Sequence, residues 1–270
     1  MIAALLAGPR ATRSLRTWLH DRPEHRLAFR AIELVPPPPP WISGGSATVL
    51  DRVRAAGRWP ESMAALDVAP DALRKSFVLD SPWVAEARVR VISPNLVRVE
   101  VTYREPVARV QLGNALPRFV IDGSAVVLPA TEVDPGVLAA LPIVRLPPGT
   151  APGAAAHDSK PGPGWEGLQI DEGPARSAAA LAVFLQAHRG EAVGMGGPLN
   201  FRAILAETSG IWLQNEQQQR ILWEKATAPG RPGELDPEAR WTMMRAWADG
   251  PPADRSAPTY RITPRGVVAL

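Results

Sequence analysis

The residue types that carry metal or acid–base chemistry are few in this chain and lie apart from one another. Cysteine is absent, which excludes disulfides, thiolate metal sites and thiol nucleophiles. The four histidines, His20, His25, His157 and His188, stand in a basic N-terminal stretch, in a Pro/Gly-rich segment and at the end of a helical pattern. No pair has the spacing of a metal-ligand set. Gly194-Met195-Gly196-Gly197 has the glycine content of a phosphate loop, but Pro198 follows it and no strand-to-helix fingerprint surrounds it. Glu216, Asp236 and Glu238 have no partnered setting and read as solvated surface. The expectation is a protein without enzymatic activity, with no catalytic residue, no metal ligand and no cofactor.

What remains is the chemistry of recognition. The tail Thr259 to Leu270, TYRITPRGVVAL, reads as short strands, and the last of them is expected at a sheet edge with one side of its backbone unpaired. Such an edge recruits a strand from a partner. The candidate partner-binding residues are Tyr260, Arg261, Ile262, Val267 and Val268, through backbone hydrogen bonds and side-chain pockets. Pro264 lacks a donor and is expected to restrict where that pairing runs. Among the tryptophans, Trp212 and Trp223 are expected in the core on facing strands. Trp241 and Trp247, six apart on one helix, are expected on different faces, one of them exposed as a binding anchor.

These residues need a frame, and its clearest part runs from Asp80 to Arg109. Val89 and Val91 alternate on a first run, then Leu96/Val97, Val99, Val101 and Tyr103 on a second. A period of two places alternate side chains on one face, the pattern of a half-buried hairpin, and Ser93-Pro94-Asn95 supplies the turn. Upstream, Ala28 to Val35 reads as a strand ended by the prolines 36–40. Ser46 to Gly57 has Val49, Leu50, Val53 and Ala56 at helical spacing, with a serine cap and a terminal glycine. Leu73, Phe77 and Val78 share a face of a second helix, which Pro82 and Trp83 end. This order predicts two helices laid on one face of a three-stranded sheet.

Downstream, VARVQL and PRFVIDGSAVVLP read as strands, with Asp122-Gly123 favouring a tight hairpin. Ala175 to His188 is a helix with Ala178, Leu181, Ala182 and Leu185 on one face. Leu199 to Leu205, Gly210 to Leu213 and Arg220 to Trp223 are short strands, and Pro237 to Ala248 is a helix. Residues 147–164 form a low-complexity insert that has no means of building a core.

The chain of 270 residues, 46% hydrophobic, has room for one large domain or two ordinary ones. Its positive charge sits early: Arg10, Arg13, Arg16, Arg22, Arg26 and Arg30 outnumber Asp21 and Glu24, and the remainder is close to neutral. A body that grips nucleic acid is thereby excluded, and a basic arm remains, readable either as a solvated segment or as one lying near anionic lipid. MIAALLAG is apolar but far short of the roughly 20 residues that cross a bilayer. Arginines follow it, whereas a signal peptide carries them in front.

Taken in order, Ser81-Pro82-Trp83-Val84, Ala87-Arg88-Val89, Pro94-Asn95-Leu96, Val99 and Arg104-Glu105-Pro106-Val107-Ala108 resemble the bacterial cell-division family FtsQ, called DivIB in Gram-positive bacteria. The strand-helix-helix-strand-strand order resembles the POTRA domain of that family. Further on, Ile121-Asp122-Gly123-Ser124 with Val126-Val127 resembles the strand, turn and return that follow, and Gly266-Val267-Val268 resembles the valine-rich terminal return. Glu224 stands where the family has a glycine, and Tyr260 and Ile262 stand roughly where it has an aspartate and an arginine.

The resemblance implies an α+β fold: a basic arm over residues 1–27, readable as the remnant of a membrane anchor, a POTRA-like domain over 28–106, and a β-rich domain with packed helices over 107–270. It further implies a scaffold of the division complex at the cytoplasmic membrane, with the bulk of the chain outside it and the single-pass anchor missing or truncated in this sequence. The implied partners are FtsB- and FtsL-like proteins on the terminal edge strand and other division proteins on the POTRA domain. Two alternatives stay open: a POTRA-bearing component of outer-membrane transport or secretion, and an extracytoplasmic enzyme with an unrecognised site.

Overall fold

The computed structural model describes residues 26–270 apart from 65–67, 94, 114–115, 118, 148–164, 171–172, 189–198, 208, 226–234 and 251–256. MIAALLAG, the basic arm up to residue 25, nearly all of the low-complexity insert, Gly194 to Gly197, Pro94 and three of the histidines (His20, His25, His157) lie outside the described residues. The fold is mixed α+β in two compact units, the first ending at Arg104 and the second beginning at Glu105. Among the described residues no helix is long and apolar enough to cross a membrane.

In the first unit, strands β1 (Arg26–Ala28) and β2 (Glu33–Val35) precede helix α1 (Gly45–Ala56), β3 (Ser62–Ala64), helix α2 (Pro70–Asp80) and the hairpin β4 (Val84–Ser93) and β5 (Leu96–Tyr103). The main sheet has the order β2-β5-β4, with β2 parallel and β4 antiparallel to β5, while β1 and β3 form a separate pair. Alternation on β5 buries Val97, Val99 and Val101. Val91, paired with Val97, shares that face but is exposed, because it lies near the end of β4, which among the described residues has a neighbouring strand on one side only. Trp83, Phe29, Phe77, Leu50 and Leu73 are fully buried, each contributing about 1.5–3 kcal/mol from apolar burial.

Two local expectations fail here for identifiable reasons. The single strand over Ala28 to Val35 is interrupted by a 3-10 turn, Phe29–Ala31. The Phe29 N–H donates to the Glu61 carbonyl at 2.8 Å, and its ring sits 6.3 Å from that of Trp59, so the chain turns inward there and loses the period of two. Helix α1 has Gly44 at its N-cap in place of a serine. Gly44 has φ +78°, and a Cβ there would lie 2.3 Å from the Thr48 hydroxyl, so only glycine fits without displacement.

The second unit contains β6 (Ala108–Leu112), β7 (Phe119–Ile121), β8 (Val127–Leu128), α3 (Pro135–Ala140), β9 (Ile143–Leu146), α4 (Gly173–Ala187), β10 (Phe201–Glu207), β11 (Gly210–Asn215), β12 (Arg220–Lys225), α5 (Pro237–Asp249), β13 (Thr259–Thr263) and β14 (Gly266–Ala269). Its strands form one sheet of nine in the order β14-β13-β12-β11-β10-β9-β6-β7-β8. Side chains of α4 and α5 share one core with Val110, Val144, Ile204, Leu213, Ile221 and Tyr260. The small residues Ala175, Ala178, Ala179 and Ala182 form the buried stripe of α4.

The tight Asp122-Gly123 hairpin is a wider turn. Asp122 Oδ1 accepts the Ser124 and Val126 N–H groups at 2.9 and 2.8 Å, Ala125 takes φ +60°, and pairing resumes at Ile121↔Val127. The carboxylate organises the loop as an Asx turn in preference to a two-residue turn. Trp212 and Trp223 do not share the core. The register of β11 and β12 shifts between Ile211 and Trp212, and Trp223 is buried against Phe184, 5.6 Å between rings. Trp212 lies on the other face, half-exposed, with the Arg220 guanidinium 4.7 Å above its ring. Both Trp241 and Trp247 are buried, contrary to the expected exposed anchor. Trp241 reaches Phe184 and His188 of the α4 end, whereas Trp247 covers Tyr260, so two distinct parts of the core take up the two faces.

Candidate partner-binding edge

The terminal hairpin owes its position to α5 and to β12. Asp236 caps α5, its Oδ1 accepting the Ala239 N–H at 2.8 Å, and Pro237 occupies the first turn, where no donor is needed. The helix buries Arg240, Trp241, Met244 and Trp247. The Trp247 ring meets that of Tyr260 at 4.8 Å and 60°, an edge-on contact that pins β13 beneath the helix. On its other side β13 pairs in parallel with β12, Tyr260 opposite Ile221 and Arg261 opposite Leu222.

β14 returns antiparallel along β13, with Tyr260↔Ala269, Arg261↔Val268, Ile262↔Val267 and Thr263↔Gly266. The Leu270 N–H donates to the Thr259 carbonyl at 3.0 Å, which fixes the phase of the ladder. Hydrogen-bonded and non-bonded pairs alternate along an antiparallel pair. Thr259–Leu270, Arg261–Val268 and Thr263–Gly266 are therefore the bonded pairs, and Val267 and Ala269 turn their N–H and C=O groups away from β13. Among the described residues no strand pairs that outer side of β14.

The five residues singled out by sequence fall into three settings. Tyr260 is fully buried between α5 and the sheet, and its backbone faces β12. Ile262 and Val267 are partly buried on the helix-covered face. Arg261 and Val268 lie on the opposite face, exposed, with Val268 43% and the following Leu270 64% accessible. Only Val267 of the five offers its backbone to the outside. Ala269 does the same and was missed, although counting back from the Pro264-Arg265 turn gives its parity. Pro264 sits in that turn, outside both strands, and restricts no pairing along the edge.

The face away from the helices is continuous with this edge. Paired positions carry Gln111, Arg145, Leu205, Trp212, Leu222, Arg261 and Val268 across seven strands. Arg145 donates to Gln111 and Gln214 at 3.2 and 3.4 Å, and Arg220 pairs with Glu207 at 2.5 Å. Arg261 is exposed beside the open edge and has no carboxylate partner among the described residues. A bound strand would thus meet backbone donors and acceptors, an apolar rim at Val268 and Leu270, and one uncompensated positive charge.

Among the described residues, acid–base or metal chemistry has no comparable setting. His188 packs on Phe184, 4.3 Å between rings, with Glu238 3.4 Å from its Nε2, and among the described residues no group of three His, Cys, Asp or Glu is placed to hold a metal ion. A cleft of about 310 Å³ in the first unit is lined by Ala28, Phe29, Arg30, Arg54 and Glu61. Its arginines are matched by carboxylates, Arg30 to Asp51 at 2.5 Å and Arg54 to Glu61 at 3.3 Å. The hydrogen bond from Arg30 holds the Asp51 carboxyl below its usual range, which keeps it charged and unsuited to giving or taking protons near neutrality.

No family model matches the chain, and no curated protein matches it.

Proposed function

We propose that this chain is a non-enzymatic assembly protein that takes a partner's β-strand onto β14, and that it serves the bacterial cell-division complex in the manner of FtsQ. The open side of β14, with the Val267 and Ala269 backbone groups directed outward, carries this reading. Strand addition on such an edge supplies main-chain hydrogen bonds for affinity, while flanking side chains select the partner. Arg261 favours an acidic residue beside the added strand. The helix pair and the β2-β5-β4 sheet, with the first strand against the last, support the likeness to a POTRA domain. On this reading the partners are FtsB- and FtsL-like proteins, and the site of action is the outer side of the cytoplasmic membrane.

The test is amide exchange on the chain alone and with a soluble FtsB–FtsL-like pair. Binding should newly protect the Val267 and Ala269 amides, while the Val268 amide, already bonded to Arg261, changes little. Binding that leaves both outward amides unprotected would move the contact elsewhere on the chain, and absence of binding would remove the division role.

A further inference from the structure

A second open edge lies in the first unit, and we infer that it joins two copies of this chain. β4 is ten residues long and outermost in its sheet. Natural proteins shorten, cover or interrupt edges of this length because they template pairing. β4 has no proline among its residues Val84–Ser93, and among the described residues no strand covers its outer side. The Arg104 N–H donates to the Trp83 carbonyl at 2.8 Å. Along β5 the same parity brings Thr102, Glu100 and Arg98 to β4, and between the register shifts at Val84/Glu86 and Val91/Ser93 they pair with Glu86, Arg88 and Arg90, so Ala87, Val89 and Val91 turn their backbone groups outward.

The side chains on this edge complement themselves. Glu86, Arg88 and Arg90 are exposed. Arg90 is engaged by Glu100 at 3.4 Å on its own chain, whereas Glu86 and Arg88 have no ion pair among the described residues. In an antiparallel pair of β4 strands with Ala87 on the two-fold axis, Glu86 of each copy stands opposite Arg88 of the other, twice over. Val91 and Ile92, 39% and 50% accessible, are exposed apolar residues at the far end of the same edge, and antiparallel pairing carries them to the first end of the other copy's β4. An isologous two-fold contact of this kind closes on itself and gives a dimer, not a fibre. Uncommitted charges of opposite sign at positions two apart point to a second copy in preference to an unrelated strand.

Sedimentation equilibrium of the full chain tests this. The wild type should show a concentration-dependent dimer. Glu86→Arg and Arg88→Glu each place like charges opposite one another at two positions, and each should raise the dimer dissociation constant about tenfold. The combined Glu86→Arg, Arg88→Glu variant recreates the pairs with signs exchanged and should return to the wild-type value. All these positions are exposed, and circular dichroism should report an unchanged fold. A wild type that stays monomeric at the highest attainable concentration overturns the inference. So does a dimer indifferent to the single exchanges, a double variant that fails to recover, or a dimer that is lost with Ala269→Pro instead.

Discussion

Proline placed along β14 separates the role of the edge from the integrity of the fold. Proline has no N–H, and its ring occupies the space through which that donor would bond. At Ala269 the missing donor points outward and the side chain is exposed, so the ladder to β13 stays intact and the fold should lose less than about 1 kcal/mol; Val267→Pro also keeps the ladder but loses in addition the packing of its side chain on the core. A strand bound there loses one hydrogen bond and meets the ring, together about 2 kcal/mol or roughly 30-fold in Kd. Val268→Pro reverses the pattern, because the Val268 N–H donates to Arg261 within the hairpin. It removes a ladder bond and leaves the Arg261 carbonyl without its partner, roughly 2 kcal/mol on stability and about 4–8 °C in Tm for a unit of this size. Thermal denaturation followed by titration with the soluble FtsB–FtsL-like pair reads both quantities. Equal destabilisation at 267, 268 and 269 would refute the register deduced from the Leu270–Thr259 bond. Unaltered affinity for Ala269→Pro and Val267→Pro in stable proteins would refute the edge as the site. Deleting the whole tail makes no such distinction, since it also strips Tyr260 from Trp247.

The Tyr260 hydroxyl and the Trp247 Nε1 are both buried without a hydrogen-bond partner among the described residues. Tyr260→Phe removes one such unpaired group while keeping the ring contact, and chemical denaturation should show a gain of about 1 kcal/mol; a loss of that size would mean the hydroxyl is bonded. Trp83 is fully buried, and Trp83→Ala should cost about 3–5 kcal/mol and lower the denaturant midpoint of the first unit; an unshifted midpoint would remove Trp83 from that core. Burial pushes the Tyr103 phenol above its ordinary value of 10.0, and its hydroxyl donates to the Pro36 carbonyl at 3.2 Å. The unfolded chain therefore releases this proton first, so the contribution is fully present below the ordinary tyrosine range and is lost as pH rises from there toward the raised folded value. Base titration of stability should fall above about pH 10, and Tyr103→Phe should flatten that fall; an identical alkaline limb in the variant would refute the assignment.

Several features were legible without coordinates because they are local. The period of two over Val89 to Tyr103 gave a hairpin, observed as β4 and β5, and the apolar spacing of Val49, Leu50, Val53 and of Leu73 and Phe77 gave two helices with those residues buried. The alanine-rich stripe of α4 was equally plain, and the chain's last strand does lie at a sheet edge. Each follows from how one segment alone distributes its apolar groups.

What tertiary structure decided was neighbourhood. Periodicity says which residues share a face, but it does not say what covers that face or which strand lies alongside. Phe29 breaks its strand because Glu61 and Trp59, some thirty residues on, receive it. Trp223 and Trp212 part company because a register shift in β12 sends one to the helices and leaves the other under Arg220. Tyr260 is interior and Ala269 is open because β12 reaches β13 in parallel across a helix, leaving β14 as the rim. The sequence by itself determined the strands and their apolar faces; the long-range pairing determined which backbone groups remain free, since hydrogen-bond phase is set by the neighbouring strand and not by the residue that carries it.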